Sequence, residues 1–215
     1  MRKLLVLGAL VAATATPALA QEVSGNVTLT TDYHWRNVTQ SNQDLAVQGG
    51  FDVDFGTGFY LGTWASTVDF NNDPDDTNVE IDFYGGYAFS AGGVDLDFGA
   101  IYYVYPDSET SDLDFLELYA AVGKEFEGGF GLGGSLNWDP DNETVYADIS
   151  GACAVSDALS IDAGYGTYLE GFGEYAGWNL GGTFSVAGVD LDLRYYDNDI
   201  GGDQDNVVFS ISKSM

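Results

Sequence analysis

From Leu45 to Phe70 the chain reads LAVQGGFDVDFGTGFYLGTWASTVDF. Leu45, Val47, Gly49, Phe51, Val53 and Phe55 share one face of an extended strand, and Ala46, Gln48, Gly50, Asp52 and Asp54 share the other, because successive strand side chains point to opposite sides. Gly56-Thr57-Gly58 turns the chain back into an aromatic-rich run from Phe59 to Phe70, a hairpin signature. About 10 residues at about 3.3 Å each, tilted by about 40°, cross the roughly 25 Å apolar band of an outer-membrane barrel.

The pattern recurs along the chain. Val27, Leu29, Thr31, Tyr33 and Trp35 alternate with Asn26, Thr28, Thr30, Asp32 and His34, predicting a first strand that runs to Trp35 and a polar segment from Asn37 to Asp44. Val79, Ile81, Phe83, Gly85, Tyr87 and Phe89 make the apolar face of a fourth strand, and Val94, Leu96, Phe98, Ala100, Tyr102 and Val104 that of a fifth. Further strands are expected over 113–123, 130–138, 144–153, 159–167, 175–185, 189–196 and 207–211. Connections after even strands are short: Gly56-Thr57-Gly58, Ser90 to Gly93, Glu127 to Gly129, Ser156-Asp157 and Ala187-Gly188. Those after odd strands are mostly longer and acidic, such as NNDPDDTN at Asn71 to Asn78. This alternation predicts an all-β chain: a single antiparallel up-and-down transmembrane β-barrel of about 12 strands, with short periplasmic turns and longer acidic extracellular loops. FSAGGVDLDF at Phe89 to Phe98 echoes FSVAGVDLDL at Phe184 to Leu193, six strands later; either a doubled half-barrel or shared hairpin composition accounts for it.

Residues 1–20 read differently. Arg2-Lys3 is a basic start, Leu4 to Ala13 an apolar run and Ala18-Leu19-Ala20 a small-residue cleavage site, so a secretory signal peptide is expected there, with the barrel domain over 21–215. After it, no run of 18 apolar residues occurs that would span a membrane as a helix. Four strong bases (Arg36, Lys124, Arg194, Lys213) then face 34 acids, a formal charge of −30. Such a charge excludes nucleic acid as a partner and favours cations or plain solvation. Outer-membrane lipid and small solutes or cations are the partners expected. Cys153 is the sole cysteine, so no internal disulfide forms, and its mates Ala147, Ile149 and Gly151 place it on an apolar face.

Acids cannot face hydrocarbon cheaply, so the face opposite the apolar one must see the lumen. The candidate pore-lining residues are Asp52, Asp54, Glu80, Asp82, Tyr84, Asp95, Asp97, Asp148, Asp162, Asp190, Asp192 and Arg194, with Gln48 and Tyr103 beside them. Rows of carboxylates concentrate cations, which suggests a modestly cation-preferring channel; the alternative is a wet interior lined by acids that tune nothing. Arg194, two residues from Asp192, predicts a local ion pair, and Arg36 or Arg194 could form a constriction. His34 is the only histidine, so a Ser-His hydrolase would have to use it with Ser24, Ser41 or Ser66, yet no spacing joins them. No catalytic residue, cofactor or metal site is expected, and the Asp-rich loops do not match the calcium-loop spacing. Tyr33, Trp35, Tyr60, Trp64, Tyr102, Tyr105, Trp138, Tyr168 and Tyr195 lie near predicted strand ends, as interfacial aromatic girdles do; a soluble β-sandwich binding protein would use them to stack on sugars.

TTDYHWRNVTQSNQDLAVQGGFDVDF, GFYLGTWASTVDF, NVEIDFYGGY and YYVYPD together resemble the TorF family of proteobacterial porins, over nearly the whole chain after residue 20. GTWAS (Gly62 to Ser66) with EIDFYGGY (Glu80 to Tyr87) is the most specific part. The resemblance implies an outer-membrane barrel with pore activity and supplies no substrate or catalytic residue. The end, Ser212-Lys213-Ser214-Met215, departs from the terminal aromatic usual in outer-membrane barrels.

Overall fold

The computed structural model describes residues 21–70, 76–108, 113–171, 175–200 and 205–215. The expected signal peptide at 1–20 lies outside them, as do the acidic loop stretches 71–75, 109–112, 172–174 and 201–204. The elements are β1 (Glu22–Thr30), β2 (His34–Trp35), β3 (Val38–Thr39), β4 (Ala46–Asp54), β5 (Phe59–Thr67), β6 (Val79–Ala91), β7 (Val94–Val104), β8 (Phe115–Phe126), β9 (Phe130–Asp139), β10 (Thr144–Ala154), β11 (Leu159–Glu170), β12 (Ala176–Val186), β13 (Val189–Asn198) and β14 (Asn206–Ser214). Twelve of these form one closed antiparallel barrel in which each strand pairs with its neighbours in sequence. β1 closes it by pairing with both β4 and β14, for example Thr28 opposite Gln48 and opposite Ser212. The remaining two, β2 and β3, make a separate small hairpin.

Period-two alternation explains the wall. Phe51, Leu61, Phe83, Leu136, Ile149 and Leu193 each keep more than half of their surface exposed. They belong to a belt of exposed apolar side chains on all twelve barrel strands, far beyond what a water-facing surface carries, so the outward medium is hydrocarbon. Every barrel strand has two hydrogen-bonded neighbours, which meets the demand that no backbone group go unpaired in lipid. Lys124 and Lys213 sit outward at the short-turn end, opposite Leu132 and Val27, where long basic chains reach interfacial water. Cys153 is on the same outward face.

The tight turns carry the left-handed backbone that two-residue hairpins require. Gly92-Gly93 (φ +63° and +78°) joins β6 to β7, and Ala187-Gly188 (φ +53° and +77°) joins β12 to β13; both fit the mirror-image turn matched to strand twist. These are the two echoing segments. In each, a serine hydroxyl (Ser90, Ser185) donates to the aspartate opposite (Asp95, Asp190) at 2.5 Å. The echo therefore extends to side-chain bonding, on strands half a barrel apart.

Two expectations need correction. The first strand stops at Thr30 rather than Trp35; 31–45 leaves the wall, and its polar half is not a plain loop but includes β3. Several aromatics assigned to girdles are not there either. Tyr102, Trp138 and the Tyr195–Trp178 ring pair do face out. Tyr60, Trp64, Tyr105 and Tyr168 belong to the inward row, and Tyr33 and Trp35 lie on the inserted hairpin. A phenol in that row finds a carboxylate or guanidinium partner inside, so nearness to a strand end did not decide its face.

Ile149 is 66% exposed at the middle of β10, so Ile149→Arg is expected to cost about 2–4 kcal/mol in lipid. Urea unfolding in vesicles measures it. A cost under about 0.5 kcal/mol is what a water-facing site would give.

Candidate functional site: the lumen and the hairpin across it

Cross-strand register aligns inward residues into rows, and glycines in those rows decide what the wall can do. In the row Asp52–Gly62–Tyr84, the Tyr84 ring lies across Gly62, where a Cβ would strike it, and its hydroxyl donates to Asp52 at 2.5 Å. In Asp162–Gly181–Arg194, the guanidinium lies across Gly181, its Cζ 2.6 Å from where a Cβ would be. It donates to both oxygens of Asp162 at 2.5 and 2.9 Å. In Tyr60–Gly86–Gly99–Tyr119, two rings converge over two glycines; their hydroxyls meet, and that of Tyr60 donates to Asp97. An inward glycine thus lets a long polar side chain lie flat against the wall and reach a partner two strands away.

The segment 31–45 enters the interior, and its Asn37 lies where a Cβ on Gly177 would be. Arg36 and Asn37, both with positive φ (51° and 66°), make the two-residue turn between β2 and β3. For a long L-residue such as Arg36 this backbone costs about 1–2 kcal/mol, so something must hold it. The guanidinium forms an ion pair with Glu117 on β8, donates to the Tyr168 hydroxyl on β11 at 2.8 Å, and lies 4.4 Å over the Tyr146 ring on β10. Asn37 accepts from Asn179 (2.7 Å) and, through its backbone carbonyl, from Asn198 (2.8 Å). The hairpin tip therefore spans from the β1–β4 side to strands β8 to β13.

At its base, Asp32 gathers the segment. Its carboxylate accepts from Thr39 (2.6 Å), Ser41 (2.9 Å) and Asn206 of β14 (2.6 Å), and contacts His34 Nε2 at 2.8 Å. His34 also stacks on Tyr196, centroids 4.0 Å apart. Burial pushes the Asp32 carboxyl up, but His34, Thr39 and Ser41 outweigh it and hold the group below its usual range. Burial, then the charge of Glu80, drive the Tyr33 phenol well above its ordinary value, so it stays a donor. Burial pulls the Arg36 guanidinium down, and Glu117 more than reverses this, so the net shift is upward.

All twelve candidate residues lie on the inward side of their strands. Asp54 caps its turn by accepting from Gly56 N at 2.7 Å. Asp95 and Asp190 are held by serines, and Asp148 by Ser135. Asp192 accepts from Thr183 at 2.9 Å. Glu80 accepts from Tyr33 (2.8 Å) and Tyr105 (2.6 Å). Arg194 does contact Asp192, at 3.2 Å, but its closer partner is Asp162, the acid that Gly181 brings within reach. Among the described residues the buried Oδ1 of Asp82 meets no donor. Sequence reasoning missed Glu117, Asn37 and the role of Tyr33. Glu117 was within reach of it, since Phe115, Tyr119 and Ala121 share its face. The hydrolase alternative finds no geometry: His34 meets Asp32, Asn206 and Tyr196, and no serine hydroxyl reaches it among the described residues.

Gly62→Val should push the Tyr84 ring off the wall, break its bond to Asp52 and destabilise the barrel by about 1–3 kcal/mol, read as a lower urea midpoint. The pH dependence of the hairpin has a definite sign. With its folded pKa depressed, Asp32 stabilises the hairpin fully above about pH 3.9 and loses that contribution as pH falls through the folded value. Near-ultraviolet circular dichroism from Tyr33 and Trp35 should hold from pH 7 to about 4 and fall below it, with a smaller acid step in Asp32→Asn.

Comparison with known proteins adds the fold's relatives. The KdgM porin superposes with a TM-score of 0.66 at 6% identity, over 89% of this chain and 97% of that one. An outer membrane channel from Pseudomonas putida F1 gives 0.57 at 12%, over 93% and 96%, and the NanC porin 0.57 at 8%, over 89% and 98%. No curated protein sequence matches. At such identities the likeness is one of fold. The family described as "Bacterial protein of unknown function (Gcw_chp)" matches residues 14–214, and the chain belongs to that family.

Proposed function

We propose that this protein is an outer-membrane porin of the TorF type, passing small solutes passively through a narrow acidic lumen with a preference for cations. Residues 1–20 would direct export and be removed, leaving the barrel in the outer membrane of a Gram-negative bacterium. The observation that carries the reading is the charge balance of the interior. Arg36 and Arg194 are its basic side chains, and both are already tied to carboxylates. Asp52, Asp54, Asp95, Asp97, Asp148 and Asp190 bond only to neutral groups. That surplus raises the local concentration of cations and repels anions. The KdgM porin has been described in complex with disordered oligogalacturonate; an anionic chain of that kind would meet like charge here.

The hairpin sets the width. A 12-stranded barrel lies between filled eight-stranded barrels and open 16-stranded pores, and here the segment 31–45 crosses its interior. The Arg36–Glu117 pair is the latch in this reading.

In planar bilayers under a salt gradient, the reversal potential should take the sign of a cation-selective pore, and Asp52→Asn with Asp54→Asn should move it toward zero. Anion selectivity of the unaltered protein would end the proposal. Arg36→Ala should raise single-channel conductance several-fold, because the tip loses its hold on β8 and β11; unchanged conductance would remove the latch.

A further inference from the structure

One cation of the interior, the Arg36 guanidinium, lies against the Glu117 carboxylate with Trp35 (4.1 Å) and Tyr146 (4.4 Å) facing it. The same combination recurs at Asp82, with one difference. Asp82 lies in the inward row Trp64–Asp82–Tyr103, directly between two aromatic side chains. Tyr33 of the hairpin packs edge-on against Trp64 (5.3 Å), and Trp35 against Tyr103 (6.0 Å). Asp82 is only 8% exposed, yet its Oδ1 meets no donor, whereas Glu80 on the same face accepts two phenols and Glu117 has its arginine. A buried carboxylate oxygen without a donor is costly, and no donor is supplied by the described residues.

We infer that Asp82, walled by Trp64 and Tyr103, is a binding site for a primary ammonium solute in transit through the lumen. The donor has to come from the solute, so it must carry N–H groups; a quaternary ammonium has none. A metal ion is a poorer match, because no group of three or more acid, histidine or cysteine side chains is placed to ligate one among the described residues. An ammonium is a compact head with three donors, enough to satisfy Asp82 and turn another N–H toward Glu80, two residues away on the same face. Trp64 and Tyr103 flank it in the row and are aromatic side chains of the kind that attract cations; one face of Tyr103 stacks on Phe115.

This inference rests on the proposed channel only in requiring that water reach the inner wall, and its test does not need conduction. Full-length protein refolded in detergent is titrated calorimetrically with n-propylammonium chloride, with potassium chloride and tetramethylammonium chloride at equal ionic strength as comparisons. Saturable heat is expected for propylammonium alone. Loss of the charged acceptor in Asp82→Asn should weaken binding about tenfold or more, while Asp82→Glu retains it and Glu127→Gln, a matched charge change in the β8–β9 turn, leaves it unaltered. Heat-modifiable mobility shows that each variant is folded. Equal binding by Asp82→Asn, equal heat from either comparison salt, or no saturable heat in the unaltered protein overturns the site. A barrel that binds propylammonium and does not conduct overturns the channel and keeps the site.

Discussion

Pairing of β1 with β14 is the contact on which the remaining architecture depends. Across that seam the strands pair in register from Asn26–Ser214 to Thr30–Ser210, and the hydroxyls of Thr28 and Thr30 bond those of Ser212 and Ser210. An open sheet would leave a row of backbone donors and acceptors in hydrocarbon, where each costs several kcal/mol. Once the sheet closes there is an inside, and the acids that alternate with the apolar belt have somewhere to go. The seam's inward row includes the hydroxyls of Thr28, Thr30, Ser210 and Ser212.

Closure also creates a packing problem that glycine solves. A 12-stranded wall carrying tyrosines and arginines that pointed straight inward would leave no room for an inserted segment. Across Gly62, Gly86, Gly99 and Gly181 the long side chains turn flat and bond along the wall instead. The aspartates receive hydroxyl and guanidinium donors, and the centre is left to the hairpin. The abundance of glycine in this chain therefore has a structural use apart from turns.

The hairpin crosses the interior of what would otherwise be an open tube. Its backbone is strained at Arg36 and Asn37, and its hold on the far wall is a buried ion pair, a phenol and two amides. Such a set is strong while intact and expensive when half broken, because removal of one partner leaves the other charge buried. In the proposed channel, an acidic wall and a latch made from one of the few basic residues would tie solute preference and passage to the same electrostatics.

Much was legible in the residues themselves. Period-two alternation is local, so the twelve wall strands, the face each aspartate takes, the Gly-rich turns at one end and the absence of a spanning helix all follow from neighbours in the chain. Pairings that depend on how far apart two walls stand were not legible. Arg36 meets Glu117 across 81 positions and Asn37 meets Asn179 across 142, and Arg194, besides the expected contact with its near neighbour Asp192, reaches Asp162 because Gly181 clears the path. The alternation of Tyr33 and Trp35 reads as a continuing strand, since period two describes only which side a residue takes and not whether the chain stays in the wall. Closure decided that: the barrel's diameter lets a type I′ turn reach the opposite side, and burial of Asp32 with its four partners holds the segment inside.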